Sequence, residues 1–230
     1  MKILQKTKAV GILIEFIVTV SIVIVLMRLF NKYHWQIRHV WAKIQAWFIG
    51  YKLEVIGSAD PEANMIILNH QSLLDIILLE AEHPKNIAWV AKKEIEDMTF
   101  FGNIISLPKN IAINREDKKS LLKLFSDCKD RLEDGRVIAI FPEGTRGDGK
   151  TIAPFKAGTK LIASKLKLKV QPAVIVNTRG ILDSQEFVAR KGSIKLIYLD
   201  SFYVKDNKNW FEDIQKEMQD RLDEELDNFR

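Results

Sequence analysis

The chain is poor in the residues that several kinds of chemistry require. It has a single cysteine, Cys128, so no intramolecular disulfide can form, which suits a reducing compartment. Cys128 falls within a predicted helix and is read as a packing residue, not a nucleophile. Four histidines and one cysteine give no metal-ligand cluster, so no metal is expected. Zinc-finger spacings and basic, aromatic-studded sheet patterns are missing, so no nucleic-acid partner is expected. There is no G-x-S-x-G elbow, so Ser72 does not read as the nucleophile of a serine hydrolase despite lying close to His70. Internal repeats and low-complexity tracts are also missing.

What is present describes a folded protein. Hydrophobic residues make up 47% and charged residues 28% of 230 positions, enough for one well-buried domain plus an appendage. Charge is unevenly placed. Residues 206–230 carry nine acidic and four basic side chains, a net of −5, so residues 1–205 carry +10 of the overall +5. A basic body fits an anionic membrane surface or an acidic carrier protein.

The first fifty residues point to the membrane. From Ala9 to Met27 the chain reads AVGILIEFIVTVSIVIVLM, apolar but for Glu15 and small hydroxyls, and near the length that crosses a bilayer. No small-residue cleavage site follows, so it does not read as a removed signal peptide. Lys2, Lys6 and Lys8 precede it, and Arg28, Lys32 and Arg38 follow it. The charge is therefore on both sides, which fits a helical pair dipping into one leaflet better than a single span. On the second helix, Ile37, Val40, Trp41, Ile44, Trp47 and Phe48 share one face, while Arg38, His39, Lys43 and Gln45 lie on the other. The apolar face either enters the headgroup layer or packs on the globular body. The expected organisation is a membrane-associating two-helix segment at 1–50 and a second domain at 51–230. Such a protein would sit on the cytoplasmic face of the cell membrane, monotopic or embedded through residues 1–50.

After Gly50 short β-branched runs alternate with helical stretches. Strands are expected at 65–68, 86–90, 111–114, 137–141, 170–176 and 193–199, and helices at 72–82, 117–133, 157–166 and 209–229. This alternation predicts a layered α/β domain around a largely buried sheet. In the last helix Trp210, Ile214, Met218, Leu222, Leu226 and Phe229 form a core-facing stripe with an acidic back.

Phe141–Thr151, FPEGTRGDGKT, admits two readings. From Gly144 it completes G-x-x-x-x-G-K-[ST], a nucleotide-binding P-loop, with Leu196–Asp200 as a Walker B counterpart. That motif needs a helix starting at Lys150-Thr151. Pro154, four residues after Lys150, and Gly158 beyond it would break such a helix. From Phe141 it reads F-P-E-G-T-R, a turn offering a carboxylate and an arginine.

The second reading has company. Asn69-His70 ends an apolar strand and Asp75 follows five residues after His70. In a regular helix five residues is about 140° of rotation, so His70 must precede the helix whose first turn carries Asp75. A carboxylate so placed can fix an imidazole tautomer for proton abstraction. His70-x4-Asp75, Asn114-Arg115, Phe141–Arg146 and Val170–Ile175 occur in that order. The set resembles the glycerolipid acyltransferase family, most closely its 1-acylglycerol-3-phosphate acyltransferases (lysophosphatidic acid acyltransferases), over residues 53–176. Two departures stand out: the family usually has a glycine near Lys109, and Gly147 stands where many members have serine.

The resemblance implies a layered acyltransferase domain of mixed sheet behind a membrane-binding helical pair. It implies acyl transfer from acyl-carrier protein or acyl-coenzyme A, as co-substrate, to a membrane lysophosphatidic acid, without further cofactor. A thioester needs no serine nucleophile, only a base and charge stabilisation. His70 would be the base and Asp75 its orienting carboxylate. The Glu143-Gly144-Thr145-Arg146 turn would serve the acceptor, with Arg146 forking its phosphate and Arg115 as a second phosphate contact. Glu143 would bond the glycerol or buttress the loop. Lys92 would add positive charge near the phosphate or oxyanion, or be a solvated lysine. Asn69 would be a cap or a catalytic group. Other lysophospholipid acceptors and a non-enzymatic lipid-binding scaffold remain as alternatives, with the P-loop hydrolase behind them. On the turn reading Lys150→Ala leaves activity nearly unchanged; tight ATP or GTP binding that vanishes in this variant would favour the Walker reading.

Overall fold

An unbroken run of helix-compatible apolar residues, with no proline before Pro61, gives one long first helix, α1, over Lys2–Leu29. The computed structural model describes residues 2–114, 120–205 and 209–228. A 3₁₀ turn at Asn31–Tyr33 reverses the chain into α2, His34–Ile49. Gly50 ends α2 with φ +74°, a left-handed cap that glycine adopts without strain. The helices lie antiparallel. Lys8 Nζ donates to the Ile49 carbonyl (3.4 Å), Gln45 Nε2 to Glu15 Oε1 (2.7 Å), and Trp41 Nε1 to Thr19 Oγ1 (3.1 Å).

The faces of α2 are inverted relative to a soluble helix. Val40, Ile44, Phe48 and Trp47 are exposed, Trp47 at 81%. The face turned to the body carries Arg38, Ala42, Gln45 and Ile49, all buried. Of the apolar face expected above, Trp41 turns toward α1, edge-on to Phe16 at 5.6 Å. The buried Arg38 guanidinium pairs with Glu80, and its other nitrogen donates to Asn86 Oδ1 at 2.8 Å. Isolated buried charge is costly, and here the pairing offsets it. On α1, Ile14, Val18, Ile22 and Val25 also stay exposed. Within α1, Gln5–Leu29 is long and apolar enough to cross a membrane.

The body begins with β1 (Lys52–Ile56), β2 (Met65–Leu68), α3 (Leu74–Glu82), β3 (Ile87–Lys92), α4 (Lys93–Glu96), α5 (Asn103–Ser106), β4 (Ile111–Ile113), α6 (Ser120–Glu133) and β5 (Val137–Ile140). It continues through α7 (Ala157–Lys165), β6 (Lys169–Val176), α8 (Thr178–Ile181), β7 (Leu182–Asp183), β8 (Val188–Ala189), β9 (Ser193–Tyr198), β10 (Phe202–Tyr203) and α9 (Trp210–Asn228). The main sheet runs β1-β9-β6-β2-β5-β3-β4, with β10 also on β6. Strands β6, β2, β5, β3 and β4 are mutually parallel. β9 runs antiparallel to β6, and β1 parallel to β9, so the sheet is mixed as expected. β2 and β5 are buried along their whole length, as central parallel strands must be.

Helices cover both sheet faces. Apolar residues of α1, α2 and α3 share one cluster with Ile66, Leu68 and Ala173. Those of α6, α7 and α9, including the fully buried Cys128, share the other with Met65 and Ile138. Burial pushes the Cys128 thiol up to about 12, which keeps it a protonated packing group. The α9 stripe is as expected through Leu226, while Phe229 lies outside the described residues. The expected strands all appear within a residue or two of their bounds. β1 was not expected, because K-L-E-V-I at the sheet edge is mostly exposed and reads weakly. The helix placed at 72–82 begins at Leu74, since Ser72 and Leu73 form its entry turn. That placed at 117–133 is described from Ser120.

Candidate active site

The C-terminal ends of parallel strands, where open α/β sheets gather ligands, bring the site together. β2 ends at Leu68, and Asn69 then carries its pairing onward through a side chain. Asn69 Nδ2 donates to the Ile175 carbonyl (2.9 Å), and the Ile175 N–H donates back to Asn69 Oδ1 (2.7 Å). Both polar atoms of Asn69 are thereby used, and it is a structural splice between β2 and β6. Of the two roles open to it, this is the one its contacts support.

His70 follows, and its Nδ1 lies 2.8 Å from Asp75 Oδ2. Asp75 is fully buried in the first turn of α3. Its Oδ2 also accepts the backbone N–H of Gln71 (2.6 Å) and Ser72 (2.9 Å), and its Oδ1 accepts the Thr178 hydroxyl. A carboxylate with four donors in a helix's first turn is well compensated for its burial. With Nδ1 engaged, Nε2 is the ring nitrogen left to accept a proton. Ser72 is buried and donates its hydroxyl to the Leu182 carbonyl at 2.7 Å, so it is tied to the backbone.

The imidazole is also held by its face. Phe141 stacks on it at 3.9 Å and 12°, and Trp89 stacks on Phe141 at 5.5 Å and 21°. Trp89 Nε1 donates to Glu80 Oε1 at 2.7 Å, the carboxylate that Arg38 of α2 also holds. A chain of contacts thus joins His70 to the helical pair.

The turn after β5 grips the backbone of His70. Glu143 is buried; its Oε1 accepts the His70 N–H (2.7 Å) and its Oε2 the Ala153 N–H (2.7 Å). The Gly147 N–H in turn donates to the His70 carbonyl at 2.7 Å. Glu143 therefore buttresses the loop, the second of its two expected uses. Gly144 takes φ +73°, which the turn requires, and Arg179 donates to the Gly147 carbonyl at 2.7 Å from outside it. Sequence reasoning missed Thr178 and Arg179, which lie outside any recognisable motif.

A cavity of about 640 Å³ opens beside His70. Its polar mouth has Lys92, Gly144, Thr145 and Arg146. Arg146 is exposed, with Nη1 3.3 Å from Ser184 Oγ, and Lys92, at the end of β3, is also exposed. Arg115 lies outside the described residues. Away from the mouth the lining is apolar: Val20 and Val23 from α1, Ile76 from α3, and Phe101 and Ile104 near α5. Arg38 and Glu80, paired to each other, are the charged groups in that inner wall.

The Walker reading fails on geometry. Asp148 Oδ1 accepts the N–H groups of Lys150 and Thr151, both at 2.8 Å, so a side chain occupies the donors a phosphate would need. No helix starts there; α7 begins at Ala157. Asp200 follows the C-terminal end of β9, which is antiparallel to β6 and so lies at the far end of the sheet. Among the described residues no cluster of three or more metal-ligating side chains occurs.

Residues 52–176, more than half of the chain, match the family model described as Acyltransferase. The chain belongs to the acyltransferase family. It is 47% identical over 173 residues to the 1-acyl-sn-glycerol-3-phosphate acyltransferase of Helicobacter pylori, covering 74% of this chain and 73% of that protein. A lyso-ornithine lipid O-acyltransferase of Rhizobium meliloti is 29% identical over 123 residues, 53% of this chain and 41% of that one. The crystal structure of the 1-acyl-sn-glycerophosphate acyltransferase PlsC from Thermotoga maritima shares the fold, with a TM-score of 0.77, 22% identity, and coverage of 100% of this chain and 98% of that one.

The acyltransferase's Lys109 stands near the place where the family usually has glycine. It takes φ +50°, the left-handed region glycine enters freely, and Arg131 Nε and Arg136 Nη1 hold its carbonyl at 2.6 and 3.2 Å. The electrostatics of Glu143 yield a test. Burial outweighs the two N–H bonds and pushes its carboxyl up from 4.5 to about 7. A carboxyl with a raised folded pKa binds more protons folded than unfolded between those values. Its stabilising contribution is thus full below about 4.5 and is lost as pH rises towards 7. Melting temperatures of the wild type and Glu143→Gln, compared from about pH 5 to about pH 8, should show the wild type losing ground to the variant. A constant difference would show that Glu143 does not titrate in this range.

Proposed function

We propose that this protein transfers a fatty acyl group from an acyl thioester to the free sn-2 hydroxyl of 1-acylglycerol 3-phosphate, giving phosphatidic acid. The observation that carries the reading is the position of His70, an Asp75-held imidazole lining a cavity that also has the cations Lys92 and Arg146 and an apolar wall from α1, α3 and the α5 region. A lysophospholipid has this same polarity, with a charged phosphate at one end and an alkyl chain at the other. The named activity of the Helicobacter protein supports it.

In this mechanism Nε2 of His70 takes the proton from the acceptor hydroxyl while its oxygen attacks the thioester carbonyl. Asp75 holds the Nδ1–H tautomer and stabilises the imidazolium that forms. The tetrahedral oxyanion then collapses, expelling the thiolate, which recovers the proton from His70. Arg146 holds the phosphate at the mouth with Arg115 as its second contact, Lys92 adds positive charge near the phosphate or the oxyanion, and Gly144 and Thr145 shape the turn. The thioester is carried by acyl-carrier protein or coenzyme A, with no other cofactor.

Residues 1–50 associate with the membrane, at its cytoplasmic face, and residues 51–230 form the catalytic domain. The support is the set of exposed apolar side chains on α1 and α2, and on α2 the polar Arg38 and Gln45 are buried instead. The Rhizobium relative is named for a different acceptor, a lyso-ornithine lipid, and here Lys92 and Arg146 in the cavity lining favour a phosphorylated one.

The test offers the purified protein lysophosphatidic acid and a labelled acyl thioester and looks for diacylated product. Arg146→Lys keeps the charge but loses the fork, and losing one hydrogen bond to a charged group, roughly 1.5–3 kcal/mol, should weaken acceptor use about ten- to a hundredfold. The thioester KM should not change. Equal damage with a dephosphorylated acceptor would show that Arg146 holds the loop and not the lipid.

A further inference from the structure

The two oxygens of the Asp75 carboxylate are held differently. Oδ2 receives three donors: the imidazole and two backbone N–H groups of the turn that carries it. Those donors come from residues 70–72, immediately before Asp75, and would move with it. Oδ1 receives the hydroxyl of Thr178, which is fully buried and opens α8, 103 residues along the chain. The carboxylate is therefore fixed against the core by this one distant donor.

The chain is shaped to deliver that hydroxyl. β6 ends at Val176, and Asn177 takes φ +70° and turns the chain into α8. Asn177 Nδ2 donates to the Ser193 carbonyl at 2.9 Å, which holds the left-handed turn to the start of β9. Gln71 closes the space beside Thr178: its Oε1 lies 3.5 Å from the hydroxyl, and its Nε2 donates to the Ile175 carbonyl at 2.9 Å. A hydroxyl has one proton to give, and the nearer oxygen is that of Asp75. Directly after Thr178, Arg179 holds the Gly147 carbonyl, and the N–H of Gly147 holds His70.

We propose that Thr178 is a positioning residue for the proton transfer, setting the plane of the Asp75 carboxylate and thereby the orientation and basicity of His70. It touches neither acyl donor nor acceptor. This inference rests on the acyl-transfer reading above. Removing a donor from a carboxylate concentrates its charge on the remaining partners. Asp75 would then hold the protonated form of His70 more firmly, and the acid limb of the rate profile would move to higher pH.

Thr178→Val removes the hydroxyl at nearly constant shape, Thr178→Ser keeps it, and Thr178→Cys fills the space with only a weak S–H donor. With lysophosphatidic acid and an acyl thioester, Val should lower kcat about ten- to a hundredfold, the loss of one charge-assisted bond, while the acceptor KM stays within about twofold. Its acid limb should move to higher pH, and Ser should restore both rate and profile. Wild-type kcat and pH profile in Val would overturn the proposal, as would equal losses in Val and Ser, or a loss confined to KM. If Val does not fold, Thr178→Cys against Ser decides, and Cys matching Ser in rate and profile overturns it. Wild-type protein without any transfer would instead mean that the acyl-transfer reading has failed.

Discussion

A carboxylate cannot be buried without donors, and the fully buried Asp75 collects its donors from pieces of chain that would otherwise have no reason to meet. One set comes from the His70–Ser72 turn, which is thereby wound into the entry of α3. Another comes from Thr178, at the far end of β6. The imidazole is part of this compensation. Its Nδ1 is committed to the carboxylate, and the orientation of the ring follows from the solvation of the charge. On the proposed mechanism the same bond that makes the burial tolerable leaves Nε2 as the base.

The second buried carboxylate near the site works on the backbone. Glu143 and Gly147, both in the turn after β5, hold the N–H and the carbonyl of His70. The two sequence motifs are thus one structural unit, and a change in the turn at 143–147 will be felt at the histidine. The stack of Phe141 and Trp89 extends the unit to Glu80, and Glu80 to Arg38 on α2. The helical pair that supplies the apolar surface also supplies one wall of the cavity, through Val20 and Val23. Membrane contact and substrate binding are on this account properties of the same two helices.

What the sequence made legible was local. The H-x4-D spacing requires a turn before a helix, and that is what forms, because five residues settle the geometry. The strand runs of β2 and β5 were legible because central parallel strands are apolar throughout, and β6 was legible through its run at 173–176. The buttressing role of Glu143 was open, because its partner lies 73 residues away and nothing in F-P-E-G-T-R says which way a carboxylate turns. Thr178 carried no signal at all, since a threonine after a strand has many uses. On α2 the apolar stripe was legible but its direction was not. Arg38 and Gln45 face inward because Glu80 and Glu15 wait there, and those partners come from α3 and α1. Lys109 shows the converse: a non-glycine residue takes a left-handed backbone conformation, its carbonyl held by two arginines, and nothing in its side chain announces this in the sequence.

The most direct measurement is acyl transfer by His70→Ala, with lysophosphatidic acid and a labelled acyl thioester, alongside thermal melting and vesicle sedimentation. If His70 is the base, turnover should fall by about 10² to 10⁴, the usual cost of losing a general base, while the variant still melts cooperatively above the assay temperature and binds membranes as wild type does. Near-normal turnover in the folded variant would contradict the mechanism.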